Sequence, residues 1–246
     1  YLHAFDGSTG VENWAYMPKF VMPGVYQIAD SGYAGKHRFF LDGTPEFQDV
    51  FDVYSGTWKT ILVGGANGGA RGYYAVDITD PLSPKGLWEI CSDPALCAIT
   101  DPDLGLTYGN PVLGKRKLDG RWVVVFASGL NNVTPGDGRG YFYVLDAITG
   151  QILHKVSTGS GSTTTPSGLA KVGGWYEKGL ADAQFDWVYG GDQNGDIWRM
   201  DMNQAMPVCN LLAPGVPPSA MPLPMHFATL TDTVTSPGSG RLPPIT

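Results

Sequence analysis

The amino-acid sequence predicts an all-β fold: a β-propeller of four-stranded antiparallel blades with long insertions, forming part of a larger ring. Three observations carry that expectation. Glycine and proline number 34 and 19, and residues that interrupt helices every few positions leave little room for them. The chain is nonetheless 43% hydrophobic and 12% aromatic over 246 residues, enough to bury a sizeable core. The third observation is a repeat, which sets the order of the elements.

Each unit opens on a small polar residue and proline: Thr44-Pro45, Asn110-Pro111 and Thr165-Pro166. A variable strand follows, then an aromatic-led apolar strand near a glycine: Trp58 to Gly65, Trp122 to Gly129, and Phe185 to Gly191. After a Gly-rich turn, a third strand closes in aspartate: Gly72 to Asp77, Gly140 to Asp146, and Gly195 to Asp201. A carboxylate at that place suits a turn, because it can accept from backbone amides two residues on. From proline to closing aspartate the units span 32, 35 and 35 residues. A fourth strand after each aspartate completes the expected unit. Radial stacking would cover both faces of each sheet, with Trp58, Trp122 and Trp187 filling the space between neighbours. The competing architecture, a β-sandwich, does not explain the repeat.

On this basis residues 1–246 form a single region with whole units near 43–91, 109–158 and 164–210. Tyr1 to Asp6, followed by Gly7-Ser8-Thr9-Gly10, repeats the tail of a unit, with a twin in Asp146-Ala147-Ile148-Thr149-Gly150. That start reads as mid-strand and predicts a piece of a longer protein, with any targeting segment outside it. Pro243-Pro244-Ile245-Thr246 reads as the head of another unit. Residues 18–43 and 207–242 depart from the rhythm and read as insertions, where function often resides in repeat folds.

Charge and composition remove several functions. The net charge is −7, and the longest run of one sign is Lys115-Arg116-Lys117, which is no basic stripe for nucleic acid. No apolar run approaches the length that spans a membrane. Cys91 and Cys97 are separated by five residues including Pro94. That spacing permits a local disulfide, which would favour an oxidising compartment, and does not resemble a zinc pair. Cys209 reads as a small buried hydrophobe.

The ordered motifs also carry a family resemblance. They are Asp6 to Gly10 with Trp14, Val63-Gly64-Gly65-Ala66-Asn67-Gly68-Gly69-Ala70-Arg71-Gly72 running into Tyr73 to Pro81, Leu104 to Pro111, and Tyr189-Gly190-Gly191-Asp192 to Asp201. Together they resemble the C-terminal propeller domain of the PilC/PilY family, the tip-associated adhesins of type IV pili. The resemblance implies a secreted, non-enzymatic bacterial protein, exported through the periplasm to the pilus tip or outer cell surface. Its implied partners are the minor pilins of the type IV pilus tip and a host or abiotic surface. Its implied roles are pilus biogenesis, opposition to retraction, adhesion and twitching motility.

The resemblance further implies a calcium loop of the form Asp-x-Asn/Asp-x-Asp-x-x-x-Asp. Aligned on Asp186, its positions here are Lys178, Leu180, Asp182, Gln184 and Asp186. The candidate metal ligands are therefore Asp182, Gln184 and Asp186, with Gln184 standing where a backbone carbonyl would serve. Calcium wants six to eight oxygens, so Lys178 removes one ligand and adds a cation. Weak or absent calcium binding is the expectation, with the segment read as a solvated loop with two surface acids. Asp192-Gln193-Asn194-Gly195-Asp196 matches the opening of an EF-hand loop, but Asn-Gly also favours a hairpin turn. Ile197 and Asn203 fall where Gly and Glu are needed. Asp101-Pro102-Asp103 and Asp137 read as turns.

Catalytic signatures fail. The four histidines are scattered, and His154 reads as a packing position on an outer strand. No Gly-x-Ser-x-Gly elbow occurs. In the loop from Gly64 to Arg71, Ala70 stands where a phosphate-binding lysine would be needed. Quinoprotein dehydrogenases share the blade motif, so a PQQ-dependent oxidoreductase fragment is the alternative function. The adjacent cysteines often found in those enzymes are missing.

Overall fold

The computed structural model describes residues 1–178, 182–202 and 224–230. Sixteen strands run through these residues. They are β1 (Leu2–Phe5), β2 (Glu12–Tyr16), β3 (Glu46–Asp52), β4 (Thr57–Gly65), β5 (Gly72–Asp77), β6 (Lys85–Cys91), β7 (Ile99–Thr100) and β8 (Val112–Arg116). Then come β9 (Trp122–Ala127), β10 (Arg139–Asp146), β11 (Ile152–Gly161), β12 (Lys171–Trp175), β13 (Gln184–Phe185), β14 (Trp187–Gly191), β15 (Asp196–Asp201) and β16 (Met225–Thr229). β1 and β2 form a hairpin. The first large sheet is ordered β3-β4-β5-β6-β7, the second β11-β10-β9-β8-β13, and the third β12-β14-β15-β16.

This architecture corrects the expected propeller of four-stranded antiparallel blades. The sheets are open, the described strands close no ring, and two of the three large sheets are five-stranded and mixed. Both extra strands have a local cause. The Cys91–Cys97 disulfide turns the chain back directly after β6, with the two Cα atoms 5.9 Å apart. Ile99 and Thr100 then lie parallel to Ile90 and Cys91. In the third unit the segment after β12 leaves its own sheet, and Gln184 and Phe185 pair in parallel with Lys115 and Arg116 of β8. Gly114 makes room for this, since a Cβ there would stand 2.7 Å from the Phe185 ring.

The sheets pack face to face in chain order, and β9 shows how the sequence arranges it. Its six residues, Trp-Val-Val-Val-Phe-Ala, are all buried, as a strand covered on both faces requires. Because successive side chains point to opposite faces, Trp122, Val124 and Phe126 join the core shared with the first sheet. Val123, Val125 and Ala127 join the core shared with the third. Phe126 stacks between Tyr73 of β5 at 4.0 Å and Tyr143 of β10 at 5.4 Å between ring centroids. Full burial of such a ring stabilises by about 1.5–3 kcal/mol.

The three tryptophans assigned between sheets divide. Trp122 is buried and Trp187 half-buried, whereas Trp58 is 58% exposed and meets Phe51 and Trp122 edge-on. The first insertion folds into short helical turns at Lys19–Val21, Met22–Val25, Tyr26–Ala29 and Tyr33–Gly35. Phe20 and Val21 pack on Tyr74, Val76 and the disulfide, and the Lys19 amide donates to both Glu89 carboxylate oxygens. The second insertion lies mostly outside the described residues, as do Leu180, Asn203, Cys209 and the C-terminal Pro-Pro-Ile-Thr. No helix among the described residues is long and apolar enough to cross a membrane.

Candidate metal centre

Asp77 and Asp146, which close the third strands of the first two units, act as turn caps, as does Asp6. Asp6, Asp77 and Asp146 accept through Oδ1 from the amides of Ser8, Thr79 and Ile148, each at 3.0 Å. Local geometry of this kind is readable from residue type alone. The candidate calcium loop, between β12 and β14, is held by longer-range contacts.

Asp186 is buried, 5% exposed, which corrects the expectation of a surface acid. Its main chain is pinned on both sides: its amide donates to Trp175 O at 2.9 Å and its carbonyl accepts from Met202 at 3.0 Å. Its Oδ2 accepts from the Glu177 amide at 2.7 Å. Its Oδ1 accepts from the Lys117 ammonium at 3.1 Å. Lys117 reaches across from the turn between β8 and β9 in the neighbouring sheet. The hydrogen bond and charge of Asp186 raise the Lys117 pKa, and the Glu177 and Asp182 carboxylates add to the effect. Asp182 accepts at Oδ1 from the Gln184 amide at 3.1 Å, closing a local turn. Gln184 lies in register with Lys115 of β8, the bond to that strand running from the Lys115 amide to Ala183 O, and Lys178 is exposed.

The loop thus brings Asp182, Gln184 and Asp186 near one another, but the donors among the described residues do not fit a calcium ion. Three of the four carboxylate oxygens of Asp182 and Asp186 accept hydrogen bonds from the protein, one of them from a cation. Calcium wants six to eight oxygens, more than these described donors offer beside a lysine ammonium.

The EF-hand-like stretch is the hairpin turn between β14 and β15. Asp192, 1% exposed, accepts at Oδ1 from the amides of Asn194 and Asp196. At Oδ2 it accepts from the Ser167 hydroxyl and the Trp198 indole, both at 3.1 Å. Its carboxylate is filled by four donors.

One cluster escaped the sequence reading. Asp101 and Asp137 do cap turns, accepting from the amides two residues on, whereas Asp103 accepts from the distant Asp137 amide, and two loops bring the three together around Lys155 of β11. The Lys155 ammonium lies 2.7 Å from Asp101 and 2.6 Å from Asp103, and 4.4 Å above the Tyr141 ring. The Tyr143 hydroxyl donates to Asp101 at 3.0 Å, and that of Tyr141 to Asp137 at 2.7 Å. Burial, then the neighbouring carboxylates, raises both phenol pKa values. The only hint in the sequence is a lysine in the middle of a largely buried strand. His154 beside it is buried as expected, and also meets Arg116 Nη1 at 2.6 Å. Among the described residues, no group of three or more His, Cys, Asp or Glu is arranged to hold a metal.

These features define a class: a disulfide-bearing all-β domain of three large sheets in which Lys117 and Lys155 pair with buried acids. Comparison with known proteins narrows it. Residues 17–220 match the family model described as "PilY1 beta-propeller domain", and the chain belongs to the PilY1 family. It is 33% identical over 202 residues to the type IV pilus biogenesis factor PilY1 of Pseudomonas aeruginosa strain PAO1, covering 82% of this chain and 16% of that protein. A PilY1 homolog of Xylella fastidiosa is 30% identical over 211 residues, covering 82% and 13%. The crystal structure of the Pseudomonas aeruginosa PilY1 C-terminal domain is similar with a TM-score of 0.62 at 32% identity, over 81% of this chain and 36% of that one. The chain therefore spans only a small part of the length of these relatives.

Proposed function

We propose that this chain is a non-enzymatic assembly and adhesion module of a type IV pilus biogenesis factor. The observation that carries the reading is its identity of 33% over 202 residues to a protein described as such a factor. In this reading it works outside the cell, after passage through the periplasm, at the pilus tip or outer surface. Its partners there are the tip minor pilins and a host or abiotic surface. The Cys91–Cys97 disulfide supports this, because such bonds persist in oxidising compartments. In this reading its repeating modules are the units near 43–91, 109–158 and 164–210, the third extended by β16 from the second insertion. Nothing in the fold or the comparisons favours the PQQ-dependent oxidoreductase.

The test is to delete this region from the parent gene and compare surface pili, twitching and attachment at equal levels of pilin and truncated protein. All three fall if the reading holds. Normal piliation and twitching with a stable truncated protein would refute it.

A further inference from the structure

The β12–β14 loop presents the electrostatic problem that a calcium ion solves in loops of its type. Asp186 is buried with its charge, and a buried carboxylate needs a counter-charge. The Glu177 and Asp182 carboxylates act on the same point, since their fields reach the ammonium that Asp186 holds. That ammonium belongs to Lys117, 69 residues earlier in the chain, on the neighbouring sheet.

We propose that Lys117 is the built-in cation of this loop, taking the place of a calcium ion and making the loop independent of calcium. The position supports it: the ammonium is 3.1 Å from Asp186 Oδ1, while Oδ2 takes the Glu177 amide. The sequence change supports it as well. Lys178 stands where a calcium loop of this form has its first acid, so the segment carries a second fixed positive charge. The tether has a structural result that a free ion would not guarantee. It ties the loop to the β8–β9 turn, beside the parallel pairing of Gln184 with Lys115.

The experiment is a calcium titration of chelator-treated protein, followed by calorimetry and by thermal melting, alongside Lys117→Met and Lys117→Arg. The native protein gives no saturable heat below about 1 mM calcium, the weak end of extracellular sites, and its melting temperature does not respond to calcium or chelator. Lys117→Met melts about 3 °C lower, and Lys117→Arg recovers most of that loss. Micromolar calcium binding by the native protein, abolished by Asp186→Asn, would overturn the proposal whether or not the Lys117 variants fold. An unchanged melting temperature in Lys117→Met would overturn it too. Neither readout depends on a role in pili, so the proposal and the functional reading can fail separately.

Discussion

Replacing Lys155 by methionine tests the acid cluster most directly, because it keeps an unbranched apolar side chain and deletes the ammonium that faces the two acids and the Tyr141 ring. The side chains of Lys155, Asp101 and Asp103 are 16%, 5% and 13% exposed. Removing one partner of a buried ion pair costs about 3–5 kcal/mol. The lower end applies, since Asp101 keeps the Tyr143 hydroxyl and the Asp103 amide, and Asp103 keeps the Asp137 amide. A loss of about 3 kcal/mol lowers the melting temperature by about 6–12 °C in a chain of this size. Urea denaturation should show a lower midpoint with an unchanged slope. Adding Asp103→Asn should cost less in the Lys155→Met background than alone, because contacting residues couple. A melting temperature within about 1 °C of the parent, or strictly additive losses, would refute the reasoning.

The first sheet has its own acid dependence. Burial opposes ionisation of Asp52, but the Ser55 hydroxyl, Lys59 and the amides of Tyr54 and Ser55 outweigh it and pull the pKa from 3.8 to about 2. A carboxyl depressed in the fold stabilises fully above 3.8 and loses that contribution as pH falls through 2; melts across this range should show Asp52→Asn flattening the acid limb. Reducing Cys91–Cys97 should cost about 2 kcal/mol for so short a loop. Thiol titration of the denatured chain should find one reactive group, Cys209, before reduction and three after it. Phe126→Ala should cost about 3–5 kcal/mol, read from chemical denaturation, because it empties the centre of the Tyr73–Phe126–Tyr143 stack.

What could be read in advance was what residue type decides locally. Aspartate caps its own turn, so the ends of β5 and β10 were visible at Asp77 and Asp146. Proline directly precedes β3 and β8, and the apolar run of β9 showed a strand buried on both faces. What escaped depends on residues far apart in the chain. Nothing near Gln184 reveals that it pairs with Lys115, and nothing near Trp58 shows that its ring is left in water. The candidate calcium loop was located but misjudged as solvated, because the charge that buries Asp186 sits at Lys117. The Lys155 cluster escaped for the same reason, since Asp101 lies 54 residues away.

The two-residue strand β13 has a consequence for how the molecule comes apart. By pairing with β8, it places a piece of the third unit's chain within the second sheet's hydrogen-bond ladder, and the Tyr176 hydroxyl adds a bond to Leu113 O at 3.1 Å. In a simple stack each module could open while its neighbour stays closed. Here the third sheet cannot peel away without tearing backbone bonds out of the second. The two are basted together, and a single cooperative transition is the expected outcome for the pair.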